Sequence, residues 1–322
     1  MRKPKILVVG SLVMDLIAET SRFPVAGETV LGTNFSTASG GKGANQAVQA
    51  ARLGADVTMV GMVGEDAFGT EMIASVQASG VNVSRLMKTD KASSAIGHIQ
   101  IEKTEDHVQN RILVVPGANM CITPEHIAFL KDEIGQYDLV LLQLEIPMEI
   151  NTIVAGYAAE KGVPVMLNCA PIAAMPAELL KNVTYISPNE SEAAVLTGIE
   201  VKDDESIAQA IAAIKALGVS NVLITLGSRG VAYESGEGIM YSPALKNLDV
   251  KDTTAAGDSF IGAFCTATAA GIALEEALRF ANCTASITVS KMGAQTSLPY
   301  IDEVLEKLAA WGFDTAPYEI LK

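Results

Sequence analysis

The feature that most constrains this fold is the alternation of short apolar runs with longer helical patterns. The runs are rich in Val, Leu and Ile and cover residues 6–9, 57–60, 139–144, 163–167, 185–187 and 222–226. The helical patterns cover residues 45–53, 68–79, 149–161, 206–217, 254–271, 274–289 and 301–311. Wholly apolar strands that alternate with helices are typical of a mainly parallel sheet covered on both faces. We therefore predict a three-layer α/β/α fold.

Two segments interrupt this alternation. Residues 12–35 have no helical period and contain Pro24, Gly27 and Gly32. Residues 94–115 hold two extended stretches around a polar turn, and the first of them alternates apolar and polar residues as a half-exposed strand does. We expect both segments to form a small sheet beside the main one.

Charge and cysteine content narrow the classes of function. The 322 residues carry a net charge of −14, which argues against a nucleic-acid or anionic-membrane surface but leaves a local nucleotide site possible. No apolar stretch approaches the roughly 20 residues of a membrane span, and we expect a cytoplasmic protein. The cysteines and histidines are too scattered for a zinc site or a disulfide framework: Cys121, Cys169, Cys265, Cys283, His98, His107 and His126.

A glycine-rich motif, Ser39-Gly-Gly-Lys-Gly-Ala-Asn45, leads directly into a predicted helix. Its glycines allow close backbone approach to a ligand, and the Asn45 amide can bind sugar hydroxyls. The motif is not a phosphate-binding Walker A loop, because Lys42 is followed by Gly43, and it is not a dinucleotide fingerprint. An ordinary turn before a helix is the alternative.

A second motif, Asp252-Thr-Thr-Ala-Ala-Gly-Asp258, precedes a long helix. Three small residues in a row leave backbone amides free to bind phosphate oxygens, which predicts an anion hole. Asp258 at the same helix start is ionised at neutral pH and can accept the proton of an attacking hydroxyl. The alternative, that Asp258 only caps the helix, leaves the preceding small residues unexplained.

Two further motifs follow predicted strands, and each is weak alone. In Ser187-Pro-Asn-Glu-Ser-Glu192, Asn189 and Glu192 would share one helix face and could order water around Mg²⁺, although the motif taken alone slightly favours a helix cap. Thr225-Leu-Gly-Ser-Arg-Gly230 is a glycine turn at a strand end, where open α/β sheets bind ligands.

Together, and in this order, the motifs resemble those of the ribokinase (PfkB-type) carbohydrate kinase family over nearly the whole chain. Residues 40–46 and 252–258 carry the resemblance, with support from residues 142–145, 168–171, 189–192 and 293–295. It implies one domain over residues 1–322, with a β lid formed roughly by residues 11–37 and 94–116 that often serves to dimerise. The implied substrates are ATP and a small sugar.

The resemblance also implies a role for individual residues. The catalytic base would be Asp258, with the anion hole at Ala255, Ala256 and Gly257. The sugar would contact Val13, Asp15, Gly41, Lys42, Gly43, Asn45, Glu145 and Asp258. ATP would lie against Asn189, Thr225, Gly227, Ser228, Gly230, Gly257 and Asn282. Glu192 would bind Mg²⁺ through water. A monovalent cation such as K⁺ would be held by Asp252, Thr254, Thr288, Lys291, Gly293 and Ser297, mostly through backbone carbonyls.

Two positions depart from the ribokinase pattern. Val13 and Ile261 stand where ribokinases have asparagine, and deoxyribokinase-type relatives have apolar residues at both places. Removing an amide from the pocket removes a penalty against the deoxy sugar. We therefore expect an ATP-dependent kinase for the 5-hydroxyl of D-ribose or 2-deoxy-D-ribose. A kinase for a nucleoside, hexose or keto-sugar acid, or a non-catalytic sugar or nucleotide sensor, is the alternative.

Overall fold

The computed structural model describes residues 2–104, 108–235, 238–246 and 248–322, and His107 lies outside them. The described strands are β1 (Lys5–Val9), β2 (Val13–Thr20), β3 (Asn34–Gly40), β4 (Asp56–Gly64), β5 (Asn82–Thr89), β6 (Ile96–Lys103), β7 (Val108–Val115), β8 (Leu139–Gln143), β9 (Val165–Asn168), β10 (Tyr185–Ile186), β11 (Asn221–Thr225), β12 (Val231–Ser235) and β13 (Gly238–Ser242). The described helices are α1 (Lys42–Arg52), α2 (Ala67–Ala78), α3 (Pro124–Ile127), α4 (Leu130–Glu133), α5 (Met148–Glu160), α6 (Ala177–Lys181), α7 (Glu190–Thr197), α8 (Asp204–Ala216), α9 (Ala256–Ala269), α10 (Leu274–Val289) and α11 (Ile301–Ala310).

The larger sheet has nine strands among the described residues, in the order β13-β12-β11-β10-β9-β8-β1-β4-β5. All neighbours from β11 to β5 are parallel, and only the pairs that involve β12 and β13 are antiparallel. Successive residues of β1 enter opposite cores: Ile6 and Val8 pack on one face of the sheet, Leu7 and Val9 on the other. The predicted α/β fold with a sheet covered on both faces is therefore confirmed.

The smaller sheet has four strands among the described residues, in the order β3-β2-β6-β7. Strands β2 and β6 are parallel, and the other two pairs are antiparallel. Its strands come from the two segments that interrupt the alternation, although β3 continues to Gly40, beyond the expected boundary at residue 37. Because α1 begins two residues after β3, this sheet leads directly into the glycine-rich motif.

Three strands of the larger sheet were not predicted. Strand β5 reads Asn-Val-Ser-Arg-Leu-Met-Lys-Thr and is half-exposed at a sheet edge, so it lacks the continuous apolar run of a central strand. Strands β12 and β13 form the antiparallel pair at the opposite edge, where polar residues again interrupt the apolar ones. Edge strands bury fewer side chains, and their sequences are correspondingly less apolar.

The carboxyl ends of the parallel strands place the motifs at one edge of the larger sheet. Glu145 lies two residues after β8, Asn189 three residues after β10, and Thr225 ends β11. Helices α1 and α9 start near the same edge and pack against each other through Gly262 and Gln49. Ligands of open α/β sheets bind at this edge, so the fold brings motifs from distant parts of the chain to a position suited to a site.

Candidate functional site

A cavity of about 220 Å³ lies where the strand ends meet the start of α9. It is lined by Lys42, Asn168, Ala170, Ser187, Asn189, Glu192, Thr225, Thr253, Ala255, Ala256, Gly257, Asp258 and Ile261. Residues from all four motifs therefore contribute to one concave site, although they are separated by up to two hundred positions in the chain.

Asp258 lies in the first turn of α9 and is only 8% exposed. Its Oδ2 accepts a hydrogen bond of 2.9 Å from Asn45 Nδ2, and its Oδ1 accepts one of 2.9 Å from Gln46 Nε2. Both donors belong to α1, and the N-cap position of α9 is Ala255, which makes no side-chain cap. The carboxylate is thus held by another helix and does not act as a helix cap.

The turn before Asp258 has an unusual backbone. Ala255 has φ +60°, the one positive φ at a non-glycine position among the described residues. A left-handed alanine costs about 1 kcal/mol, so the surrounding packing must enforce this conformation. The Ala256 amide donates to Thr253 O at 3.2 Å, whereas the amides of Ala255 and Gly257 have no hydrogen-bond acceptor among the described residues. Free amides at the start of a 14-residue helix form a suitable site for an anion.

Lys42 supplies a positive charge to the same cavity. Burial disfavours its ammonium form, but the carboxylates of Asp258, Glu145 and Glu192 outweigh that effect and raise the pKa of Lys42. The Lys42 backbone amide donates to Glu145 Oε2 at 2.9 Å, so its backbone and its side chain serve different parts of the site. A cation so placed can neutralise phosphate oxygens.

Asp15 lies on β2 in a slot formed by glycines of the neighbouring strands. A Cβ at Gly40 would lie 3.0 Å from Asp15 Oδ2, and one at Gly97 would collide with Asp15 Oδ1. Burial, followed by the negative charge of Glu145, raises the pKa of Asp15 to about 6. The slot therefore holds a carboxylate whose ionisation is costly and which hydroxyl groups of a ligand can stabilise.

Glu145 connects the strand ends to the glycine-rich motif. Its Oε2 accepts hydrogen bonds from Ser11 Oγ at 2.5 Å and from the Lys42 amide. Ser11 Oγ in turn accepts from the Gly43 amide at 3.2 Å. Gly41 has φ +92°, and a Cβ there would lie 2.7 Å from the Val13 amide, so glycine is required by both backbone and space. Of the predicted sugar-contacting residues, only Lys42 and Asp258 line the cavity, and Glu145 and Asn45 are joined to it by hydrogen bonds to the Lys42 amide and to Asp258.

The two predicted deoxyribokinase-like positions are both buried. Val13 begins β2 and is 5% exposed, and Ile261 is 2% exposed and lines the cavity one helical turn after Asp258. Each presents an aliphatic surface beside the polar groups of the site.

The predicted ATP-binding residues fall into two groups. Asn189, Thr225 and Gly257 line the cavity, as does Glu192, the predicted Mg²⁺ residue. Asn189 and Glu192 also form a reciprocal cap at the start of α7, with both hydrogen bonds at 2.8 Å, so the structural and functional interpretations of this pair coexist. The remaining predicted residues lie outside the cavity lining: Gly227 and Ser228 in a short turn, and Gly230 and Asn282, which both pack against Ser242.

The residues predicted to bind a monovalent cation come from two segments, 252–254 and 288–297, and hydrogen bonds to Asp252 connect them. Asp252 Oδ1 accepts from the Thr254 amide at 2.9 Å and Oδ2 from the Gly293 amide at 2.8 Å. Desolvation opposes ionisation, but these hydrogen bonds dominate and lower the pKa of Asp252. The other side chains have partners of their own: Thr288 and Ser297 bond within the protein, and Lys291 bonds Glu303. Backbone carbonyls therefore remain the groups that could bind a cation there.

Several residues of the site were not predicted. Asn168 and Ser187 follow or end buried strands, and the rule that ligands bind at strand ends could have found them. Gln46, which contacts Asp258, directly follows the glycine-rich motif but was not predicted to have a role. A glutamine at a fully buried helix position is a signal, because a buried amide must find partners.

No helix within the described ranges is long and apolar enough to cross a membrane. Among the same residues there is no group of three or more His, Cys, Asp or Glu side chains that could hold a metal ion.

Comparison with known proteins gives consistent matches. The model of a family described as pfkB family carbohydrate kinase matches residues 3–301. A ribokinase of Bacillus subtilis is 41% identical over 304 residues, covering 94% of this chain and 99% of the relative. A deoxyribokinase of Salmonella typhi is 32% identical over 305 residues, covering 94% and 98%. The solved structure of Arabidopsis thaliana ribokinase complexed with ribose and ATP aligns with a TM-score of 0.88 and 36% identity, covering 96% and 99%.

Proposed function

Because this chain belongs to the pfkB family of carbohydrate kinases, we propose that it transfers the γ-phosphoryl group of ATP to the 5-hydroxyl of a pentose, D-ribose or 2-deoxy-D-ribose. The observation that carries the proposal is the position of Asp258. Its carboxylate lies beside free helix amides and is bonded to Asn45 of the glycine-rich motif. Relatives named ribokinase and deoxyribokinase support a pentose as the acceptor.

The proposed reaction is an in-line displacement. The 5-hydroxyl oxygen forms a bond to the γ-phosphorus, and the bond from that phosphorus to the β,γ-bridging oxygen breaks, with its electron pair leaving on ADP. The hydroxyl proton passes to the Asp258 carboxylate. Because phosphoryl transfer has a loose transition state, orienting the hydroxyl matters more than removing its proton early.

Charge on the transferred group would be stabilised by the amides of Ala255 and Gly257 and by the Lys42 ammonium. All three line the cavity and need no rearrangement to meet a phosphate. The cavity also contains oxygen donors that suit Mg²⁺, namely Glu192 and Asn189, which would act through ordered water. Bound Mg²⁺ supplies charge neutralisation for the ATP phosphates.

We also propose a monovalent cation such as K⁺ beside the anion-binding turn. The hydrogen bond from the Gly293 amide to Asp252 brings the two segments of predicted carbonyl ligands together. Such an ion would add positive charge near the amides of the turn. Turnover measured in K⁺ and in a bulky organic cation tests this proposal, and equal rates would contradict it.

The aliphatic Val13 and Ile261 favour 2-deoxy-D-ribose as the preferred acceptor. Both are buried, Ile261 in the cavity lining and Val13 at the start of β2, and neither can hydrogen-bond the 2-hydroxyl of ribose. A buried amide would favour a hydroxyl that satisfies it, so its absence lowers discrimination against the deoxy sugar. Val13→Asn should shift the ratio of kcat/KM toward ribose. Turnover of ribose with deoxyribose inert in the unmodified protein would contradict this preference.

We propose that the smaller sheet acts as a lid and joins two copies of the chain. Its edge strand β7 leaves Val108, Ile112, Leu113 and Val114 more than half exposed, and Phe35 on β3 is 64% exposed. Apolar side chains on a free sheet edge favour association with another surface. We place the reaction in the cytoplasm, where ATP is available and where free thiols such as the four in this chain persist.

The test of function is an ADP-release assay over D-ribose, 2-deoxy-D-ribose, nucleosides, hexoses and keto-sugar acids. We expect a pentose to be preferred and Asp258→Asn to lower kcat by about 10² to 10⁴-fold, the usual contribution of a positioned base. Asp203→Asn is the matched control, because Asp203 caps the exposed start of α8. A nucleoside or hexose preference would change the acceptor. Sugar binding without ADP release would indicate a sensor.

A further inference from the structure

A chain of buried side-chain amides connects the larger sheet to Asp258. Gln143, the last residue of β8, donates from Nε2 to Gln46 Oε1 at 2.7 Å. Gln46, in the first turn of α1, donates from Nε2 to Asp258 Oδ1 at 2.9 Å. Both glutamines are fully buried. The catalytic carboxylate is therefore connected to the core of the sheet through two neutral amides.

The direction of the hydrogen bonds between these side-chain amides follows from the chemistry of an amide. Each glutamine has one accepting oxygen and one donating nitrogen. An ionised carboxylate can only accept, so the Gln46 nitrogen must face Asp258, and the Gln46 oxygen then accepts from Gln143 Nε2. A reversed Gln46 amide would place its oxygen against the carboxylate and leave two buried acceptors facing each other, at the cost of a lost charge-assisted hydrogen bond.

Packing alone does not account for glutamine at these two positions. Gln46 is fully buried, and an apolar side chain of similar length there would avoid the desolvation of an amide. Gln143 also needs space at Gly10, where a Cβ would collide with Oε1. Gln143 Oε1 itself is buried without a hydrogen-bond partner among the described residues. Buried glutamines that lower the stability of the fold next to a functional site are expected to have a role in the function of that site.

We propose that Gln46, whose amide oxygen is held by Gln143, is a positioning residue for Asp258, an inference that rests on the proposed function. Asn45 holds Oδ2 and Gln46 holds Oδ1, so the carboxylate cannot rotate about its bond to Cβ. The remaining lone pairs are thereby directed at one place, where the sugar hydroxyl would lie. Gln46 does not line the cavity, and besides Asp258 its Nε2 makes only a longer contact of 3.4 Å, to Asn168 Oδ1.

Removing the Gln46 donor should affect catalysis more than binding. We expect Gln46→Met, which keeps the length of the side chain, to lower kcat by about 10- to 100-fold, as misplacement of a reacting group does. The KM values for sugar and ATP should stay close to those of the unmodified protein, since Gln46 contacts neither ligand. Lys42 is the charged group that interacts with Asp258 across the cavity, and it is unchanged in this variant.

The pH profile of kcat separates positioning from a merely structural role. A hydrogen bond to a carboxylate favours its ionised form. The acid limb is the fall of kcat at low pH. If the preference for the ionised carboxylate drops tenfold, this limb should move upward by about one pH unit, because one unit corresponds to a factor of ten. The measurement uses saturating sugar, so that titration of the sugar-binding residues does not contribute.

The matched control is Gln49→Met. Gln49 is the same residue type on the same helix, is fully buried, and bonds Pro299 O and Ser259 without touching Asp258. Its loss should lower the melting temperature to a similar extent and leave the acid limb in place. Gln143→Met should act in the direction of Gln46→Met but more weakly. The double variant should be no slower than Gln46→Met alone, because the two residues act through one hydrogen bond to Asp258.

The inference is overturned if Gln46→Met retains the kcat and acid limb of the unmodified protein, or if Gln49→Met shifts the limb equally. Additive losses in the double variant would also overturn it. If Gln46→Met does not fold, the acid limb of Gln143→Met decides, and an unmoved limb counts against the proposal. An unmodified protein that phosphorylates no sugar contradicts the proposed function instead, so the two failures are distinguishable.

Discussion

Replacing Asp15 by asparagine should stabilise the folded protein at neutral pH while weakening sugar binding. Asp15 lies in the slot between Gly40 and Gly97, and burial followed by the charge of Glu145 raises its pKa to about 6. Its ordinary value is 3.8. The folded state therefore binds more protons than the unfolded state between about pH 4 and pH 6, and folding stability falls as pH rises through that window.

The magnitude follows from the size of the shift. Each pKa unit corresponds to 1.36 kcal/mol, so a shift of roughly two units costs the folded protein about 2 to 3 kcal/mol above pH 6. Asparagine has nearly the same shape and no charge, and Asp15→Asn should recover most of that free energy. The gain should be largest at pH 7 and should be small near pH 4, because Asp15 becomes protonated in both states only below its ordinary pKa of 3.8.

Urea unfolding at several pH values between 4 and 8, without sugar, measures this difference. Glu19→Gln is the matched control, since it removes a carboxylate from the same strand outside the glycine slot. In parallel, the sugar KM of Asp15→Asn should rise, because a carboxylate accepts hydroxyl hydrogen bonds more strongly than a neutral amide oxygen does. A free-energy difference between Asp15→Asn and the unmodified protein that does not change with pH would refute the reasoning.

Four further variants test the site, a helix and the smaller sheet. Gly97→Ala should raise the sugar KM in initial-rate assays by displacing the Asp15 carboxylate, and normal sugar affinity in this variant would contradict that prediction. Gly156→Ala, which has open space at its Cβ inside a helix, should raise the free energy of unfolding in urea by about 0.5–1 kcal/mol. Lys42→Met should lower kcat/KM for ATP by roughly 10²-fold in initial-rate assays, the scale of one lost charge stabiliser, and an unchanged value would exclude a phosphate contact. Ile112→Lys should convert a dimer to a monomer in light scattering, and unchanged mass would remove β7 from the interface.

Local sequence was sufficient to predict the fold class. The central strands β1, β4, β8 and β11 are continuous apolar runs because both faces of the sheet are covered, and that pattern is visible without a structure. The edge strand β5 escaped prediction because it is only half-buried.

Local sequence also indicated the glycine-rich motif and the stretch that ends at Asp258. It did not decide between a helix cap and a functional role, either for Asp258 or for Asn189 and Glu192. The contacts of Asp258 with Asn45 and Gln46 show that it does not cap α9. For Asn189 and Glu192, the cap and the cavity lining are both present, so no choice between them was needed. Periodicity identifies elements; it does not reveal which groups a side chain meets across the fold.

What the sequence by itself determined was therefore the order of strands and helices and the motifs at their ends, because short-range periods and backbone preferences set these locally. Tertiary structure alone decided how Asp258 is held. Gln143 and Gln46 are 97 positions apart, and Gln46 and Asp258 are 212 apart. Hydrogen bonds of that separation form only after the sheet and helices have packed, because packing supplies the close, dry contact that makes a buried amide seek a partner.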